Sequence, residues 1–345
     1  MSIAILSSVD LLSAYLAERQ LRLFPQELAA LQNNPFPLRL PVHYADLINW
    51  DDPHDPLKKI VLPQLEEHDV RTYELSDPIG DHAREAVPGL IHRYPNRALL
   101  LLTTYCHIHC RFCFRREVVG KQRQADLLKI RDYLQAHSEI KEIIFSGGDP
   151  FTFPQAFVES LFELLLPIES LKIIRWHTRI PVVNPEAVTK QWLQTISSTE
   201  KQVIVVLHID HPQELSPKTK KLVKEMNQMG IMVLSQSVLL KGVNDSLETL
   251  GQLFSQLVAN GVKPYYLHHL DQAPGTHHYR LSIPEGLALY HQLRGNLSGV
   301  AIPQYVLDLP GGYGKVPVQE LQLVNEKTYQ VTTFGGRTVT YTDQA

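Results

Sequence analysis

Residues 98–116 read ALLLLTTYCHIHCRFCFRR. A short apolar run, suited to a buried strand, leads straight into Cys106, Cys110 and Cys113. These are the only 3 cysteines of the chain, and they form one C-x3-C-x2-C cluster. No thiol is left for a disulfide or a second metal site, so the cluster points to a metal centre.

Outward from this stretch, short apolar runs alternate with amphipathic ones. Strands are expected at 98–103, 141–145, 171–176, 202–207, 231–234 and 263–267. Helices are expected at 122–136, 154–166, 185–196, 217–229, 246–259 and 284–294. This alternation means βα units and a parallel sheet. Polar clusters follow nearly every strand: CHIHCRFC, SGGDP, HTR, HIDHP, SQS and HHLD. Barrels carry chemistry at many strand ends, whereas open doubly wound sheets concentrate it at one switch point. The expectation is therefore an α/β fold with an incomplete (β/α)6-type barrel over 96–300. A mainly helical extension is expected over 1–95, with Ser8 capping a helix over 9–21, and a C-terminal segment over 301–345. The stretch 71–88 reads as polar and irregular.

Hydrophobic residues make up 44% of the 345, enough for a sizeable core, and the net charge is -3. That balance offers no electrostatic reason to expect nucleic acid or an anionic membrane. No run approaches the ~18 apolar residues of a membrane span. The start lacks the basic region of a signal peptide. A thiol cluster in a cysteine-poor chain suits the reducing cytoplasm.

Three thiolates can hold three irons of a [4Fe–4S] cube and leave the fourth open to an external ligand, whereas electron-transfer clusters take four. Zinc completed by His107 or His109, or three structural cysteines, are the alternatives. Ser146-Gly147-Gly148-Asp149-Pro150 reads as a tight turn after the second strand. Asp308-Leu309-Pro310-Gly311-Gly312-Tyr313-Gly314-Lys315 offers glycines that could cradle a phosphate, or a flexible turn with a surface lysine. A lysine amine there could also hold pyridoxal phosphate (PLP).

The cysteine spacing after the first strand, with Phe112 before the last cysteine, resembles the radical S-adenosylmethionine (SAM) superfamily. That resemblance implies that SAM binds the open iron and that the turn Ser146, Gly147, Gly148, Asp149 contacts its methionine group. Over about 85–318 the chain is similar to the lysine 2,3-aminomutase family. The matching stretches are HRYPNR (92–97), the cysteine loop with Arg115 and Arg116, SGGD (146–149), TRIPVV (178–183), HIDHP (208–212), QSVLLKGVND (236–245), PYY (264–266) with Asp271, and DLPGGYGK (308–315).

The family implies a PLP-dependent isomerase that moves the amino group of L-lysine from C2 to C3, giving β-lysine. By that resemblance Lys315 holds PLP, and Arg93, Tyr94 and Arg97 surround it. Arg115 pairs with the substrate carboxylate, and Asp271 and Asp308 clasp its distal ammonium. Two acidic residues there favour lysine over glutamate. His208, Asp210, His211 and Gln236 line the SAM side or orient the groups behind it, Gln236 being the best match. Without the family, Arg93 and Arg97 read as solvated basic residues, Arg115 as an ion-pair residue, Asp271 as a turn cap and Asp308 as a strand end. Histidines 268, 269, 277 and 278 read as satisfied polar groups. Tyr313 replaces a family glycine and is expected to narrow the pocket or alter PLP binding. No cysteine follows Cys113, so the C-terminal zinc site of clostridial members is not expected. The resemblance is to short bacterial members whose (R)-β-lysine is attached to elongation factor P by a ligase. It also implies an electron donor and a homodimer. The competing readings are an aminomutase for another amino acid and a non-catalytic iron–sulfur module.

Overall fold

The computed structural model describes residues 5–32, 34 and 36–345. The chain opens with a two-stranded antiparallel pair, β1 (Ile5–Leu6) and β2 (Leu40–Pro41). Four short helices accompany it: α1 (Val9–Glu18), α2 (Pro25–Gln32), α3 (Val42–Ala45) and α4 (Pro56–Val61). Ser8 caps α1 by accepting from the Leu11 amide, as expected, but the helix stops at Glu18 rather than residue 21.

The core is a ten-stranded mixed sheet. It begins with β3 (Glu85–Val87) and β4 (Leu90–Tyr94), paired antiparallel to each other and to β5 (Arg97–Thr103). Six parallel strands then follow in chain order: β6 (Glu142–Gly147), β7 (Ile173–Thr178), β8 (Gln202–His208), β9 (Met232–Val238), β10 (Lys263–His268) and β11 (Gln304–Leu309). The antiparallel β12 (Gly314–Pro317) closes the list. The end strands β3 and β12 are not hydrogen-bonded to one another.

Helices link the parallel strands: α5 (Leu127–Ala136), α6 (Gln155–Leu165), α7 (Ile180–Val183) with α8 (Lys190–Ser197), α9 (Pro217–Gln228), α10 (Leu247–Ala259) and α11 (Ile283–Asn296). Their starts carry local signals. Ser216, Ser246 and Ser282 each accept from the amide three residues on. Such caps contribute ~1 kcal/mol each. A small antiparallel sheet, β13 (Gln322–Asn325), β14 (Thr328–Thr332) and β15 (Thr338–Thr342), ends the chain.

Two expectations need correction. The polar stretch before residue 95 ends in strands rather than helix, because β3 and β4 fold back as a meander onto β5. The ladder also continues past residue 300: β11 is a seventh parallel strand, pairing with β10, so the sheet exceeds the six repeats read from sequence. The ladder thus crosses both boundaries expected for the central unit.

The strands bury large side chains on the face that packs against the helices. Trp176 of β7 is fully buried and stacks on Phe145 of β6 at 4.2 Å between ring centroids. Burial of a side chain this size stabilises by roughly 2–3 kcal/mol. No helix among the described residues is long and apolar enough to cross a membrane.

Candidate active site

Because parallel strands point the same way, their C-terminal ends deliver polar residues to one side of the sheet. There a cavity of about 280 Å³ is lined by Cys106, Cys110, Cys113, Ser146, Gly147, Gly148, Asp149, His208 and Gln236. Arg93, Tyr94, Arg97, Arg115, Asp271, Asp308 and Lys315 line the same cavity. Residues separated by more than 200 positions thus share one wall-to-wall space.

The cysteine loop follows β5 and is gripped from outside by the N-terminal extension. Arg39 donates to the Cys106 carbonyl at 2.7 Å, and the Arg111 amide donates to the Ile60 carbonyl at 2.9 Å. Fully buried Glu67 accepts from Arg111 Nε and Nη2 at 2.8 and 2.6 Å and from Arg116 Nη2 at 2.6 Å. Burial alone would raise the Glu67 carboxyl, but the two arginines outweigh it and hold it low. Burial pushes the Cys110 thiol up to about 12 and raises those of Cys106 and Cys113. A metal must therefore displace their protons on binding. The described residues bring no three His, Cys, Asp or Glu side chains around a single ion. A cube instead takes one thiolate per iron, so the donor set fits a cluster better than a mononuclear zinc.

The Ser146–Asp149 turn is first of all a brace. A Cβ added to Gly148 would lie 2.4 Å from the Tyr105 carbonyl oxygen, so only glycine lets the turn approach the root of the cysteine loop. The Gly148 and Asp149 amides donate to the Thr103 and Tyr105 carbonyls at 2.6 and 2.8 Å. The Asp149 carboxylate accepts from Thr178 Oγ1 at 2.7 Å and from the amides of Phe151, Arg179 and Ile180 at 3.0, 2.7 and 3.0 Å. The Asp149 oxygens are thus spent inside the protein, while the turn itself lines the cavity.

Across the cavity, the glycine-rich segment is the hairpin turn between β11 and β12. It places Lys315 directly opposite Asp308. Gly314 has φ +90, and a Cβ there would lie 2.6 Å from the Tyr94 hydroxyl. That hydroxyl accepts from the Lys315 amide at 2.7 Å. The glycines thus serve the turn and its packing, and Gly311, Gly312 and Gly314 are not among the residues that line the cavity. Tyr313 is not among the lining residues; Arg337 donates to its hydroxyl at 3.3 Å. The expected narrowing of the pocket is therefore not its role, because the hairpin turns its side chain elsewhere.

Lys315 Nζ lies 2.8 Å from Asp308. Burial pulls the amine down, but Asp308 outweighs it and the lysine pKa is raised. Asp308 is correspondingly held low, its burial outweighed first by Lys315. Asp271 is raised to about 7 by burial and then by Asp308.

Arg93 and Arg115 meet at a residue that the sequence did not single out. Asp81 accepts from Arg93 Nη2 at 2.9 Å and from Arg115 Nη2 at 2.6 Å. Arg97 stacks over the Tyr94 ring at 3.8 Å. His208 Nε2 lies 3.1 Å from Asp210. Arg175, His177, Arg179, Tyr265, Tyr266 and His268 also line the cavity without having been assigned roles. His177, Arg179 and His268 belong to polar clusters after strands, and Tyr265 and Tyr266 to a stretch shared with the family; Arg175 lies within a strand, and Asp81, inside an irregular polar stretch, carried no signal.

Six cationic side chains and four carboxylates line the space. Buried nitrogens on its wall, Arg93 Nε, His177 Nε2 and Arg179 Nε among them, have no hydrogen-bond partner. A buried unpaired donor costs ~1–3 kcal/mol, so a polar anionic ligand such as a phosphorylated carbonyl cofactor fits this wall.

Comparison with known proteins agrees with this layout. The family model described as the Radical SAM superfamily matches residues 100–253, and that described as Lysine-2,3-aminomutase matches 290–344. The L-lysine 2,3-aminomutase of Haemophilus influenzae is 36% identical over 294 residues, covering 84% of this chain and 86% of its own. That of Buchnera aphidicola is 34% identical over 284 residues, covering 81% and 84%. That of Fusobacterium nucleatum is 33% identical over 307 residues, covering 87% and 72%. With a thiol loop and a lysine–aspartate pair on one cavity, and relatives alike across most of their length, the chain belongs to the lysine 2,3-aminomutase family of the radical SAM superfamily.

Proposed function

We propose that this protein moves the amino group of L-lysine from C2 to C3, using a [4Fe–4S] cluster, SAM and PLP. The observation that carries the reading is the single cavity lined by both the three thiols and the Lys315 amine. The cluster with SAM supplies a radical that abstracts hydrogen, and PLP supplies an electron-accepting π-system for the migrating nitrogen.

The chain's own residues do the rest. Cys106, Cys110 and Cys113 hold the cluster, and Lys315 holds PLP. The Asp308 carboxylate, 2.8 Å from the Lys315 amine, holds that amine in the cavity and stays ionised. Arg115 orients the substrate carboxylate with its planar fork. Asp271 and Asp308 neutralise the distal ammonium, which selects lysine over an acidic amino acid. His208 and Gln236 line the cavity beside the thiols. Ile108, Phe112, Ile144 and Leu270 give it apolar walls that keep water from a radical.

The test is an anaerobic assay of reconstituted protein with L-lysine, SAM and a reductant, followed by product identification. β-Lysine is expected. A different β-amino acid from another substrate, with lysine unchanged, would overturn the substrate assignment. Absence of bound PLP and of any turnover would overturn the enzyme reading.

A further inference from the structure

We propose that Arg179 is a positioning residue that raises the reduction potential of the cluster by acting through Cys110. This rests on the reading that Cys110 is one of three cluster ligands.

Arg179 stands immediately after β7, where the strand end delivers it beneath the cysteine loop. Its backbone amide is pinned by the Asp149 carboxylate at 2.7 Å. Its guanidinium is buried and works at both ends. Nη1 donates to Cys110 Sγ at 3.0 Å, and Nη2 donates to Glu214 Oε1 at 2.6 Å while lying 3.0 Å from Asp210 Oδ2. Asp210 and Glu214 are fully buried. Glu214 is itself immobilised: it accepts from the Tyr44 hydroxyl at 3.0 Å and from the Asp210 and His211 amides at 2.6 and 2.9 Å. The planar fork is therefore held so that one nitrogen must face the sulfur.

A group needed only to balance two carboxylates would have no reason to spend Nη1 on a thiol. When a cluster takes up an electron it gains a negative charge, and most of that charge spreads over its sulfurs. A fixed cationic donor on a ligand sulfur stabilises the reduced form more than the oxidised form, so the potential rises. Asp210 and Glu214 oppose this by partly cancelling the guanidinium charge. The trio thus sets the potential by the balance of one cation against two anions, and the balance can be shifted in either direction.

The experiment uses the full chain, reconstituted anaerobically with iron and sulfide. Iron and sulfide are quantified, and the midpoint potential is read by reductive titration with electron paramagnetic resonance, without substrate. Arg179→Lys, which cannot serve sulfur and carboxylate together, should lower the midpoint potential at unchanged iron content. Glu214→Gln, which removes one opposing anion and leaves Arg179 in place, should raise it. Shifts of opposite sign support the proposal. A wild-type potential in Arg179→Lys with full iron content overturns it. If Arg179→Lys fails to fold or to hold iron, Glu214→Gln decides: a rise supports the proposal and no change overturns it. A wild-type chain that binds no four-iron cluster would instead sink the underlying assignment of the cysteines, and the proposal with it.

Discussion

Asp308 and Lys315 are a cross-strand pair, directly opposite each other on β11 and β12, with carboxylate and amine 2.8 Å apart. Seven positions apart in sequence, they meet only because a glycine turn reverses the chain between them. The pair keeps the amine protonated and the carboxylate ionised until a ligand separates them. Replacing Lys315 by alanine should abolish the visible absorbance of bound PLP while circular dichroism stays native. Asp308→Asn should keep that absorbance and raise KM for lysine by about 10–100-fold, the worth of a hydrogen bond to a charged group. Retained absorbance in Lys315→Ala would remove this lysine from the cofactor site.

Asp271 brings a pH dependence. Its carboxyl is raised to about 7 by burial and by Asp308. A distal ammonium is bound by the ionised form, so KM for lysine should fall as pH rises through about 7. In Asp271→Asn that limb of the KM profile should flatten. A KM that rises over the same interval in the wild type would contradict the assignment.

Glu67 ties the N-terminal extension to the cysteine loop through Arg111 and Arg116. Glu67→Ala leaves two buried cations without their partner and should cost about 3–5 kcal/mol. Its carboxyl is depressed in the folded protein. The stability it contributes is therefore present above the ordinary glutamate pKa and lost as pH falls through the lower folded value. Denaturant unfolding at neutral and acid pH measures both effects. An unaltered midpoint at neutral pH would show that the clamp is not needed.

Asp149 carries four internal hydrogen bonds at the turn beneath the cysteine loop. Asp149→Ala should destabilise by about 2–4 kcal/mol and lower iron content on reconstitution, since the turn also holds the Thr103 and Tyr105 carbonyls. Asp149→Asn should lose less, because one oxygen remains as acceptor. Equal iron content in wild type and alanine variant would leave Asp149 with a purely local part.

Much of the fold was legible because βα units have a local signature. Apolar runs of four to seven residues, proline and serine at helix starts and polar residues at strand ends all act within a few residues of themselves. The meander β3–β4 was hidden for the opposite reason. β3 is three largely exposed residues and β4 buries only Leu90 and Ile91, so the meander becomes strand only by pairing with the edge of β5. The seventh parallel strand was read as a run outside the repeat, since nothing local distinguishes a strand that joins a sheet from one that leaves it.

The candidate site divides in the same way. Thiol spacing, the SGGD turn and the DLPGGYGK segment carry chemistry in short motifs, so their residues could be named from sequence. Asp81, which bridges Arg93 and Arg115, and Arg179, which reaches Cys110, act across gaps of tens of residues.

By itself the sequence determined which chemistry is available: three thiols at cluster spacing, a lysine behind a glycine turn, and acidic partners at 271 and 308. Only the tertiary structure decided which of these groups face one another and which are consumed as internal supports. The reason is physical. A residue type limits what a side chain can donate, accept or ligate, whereas electrostatic and hydrogen-bond energies depend on distances that exist only once the sheet has brought remote strand ends together.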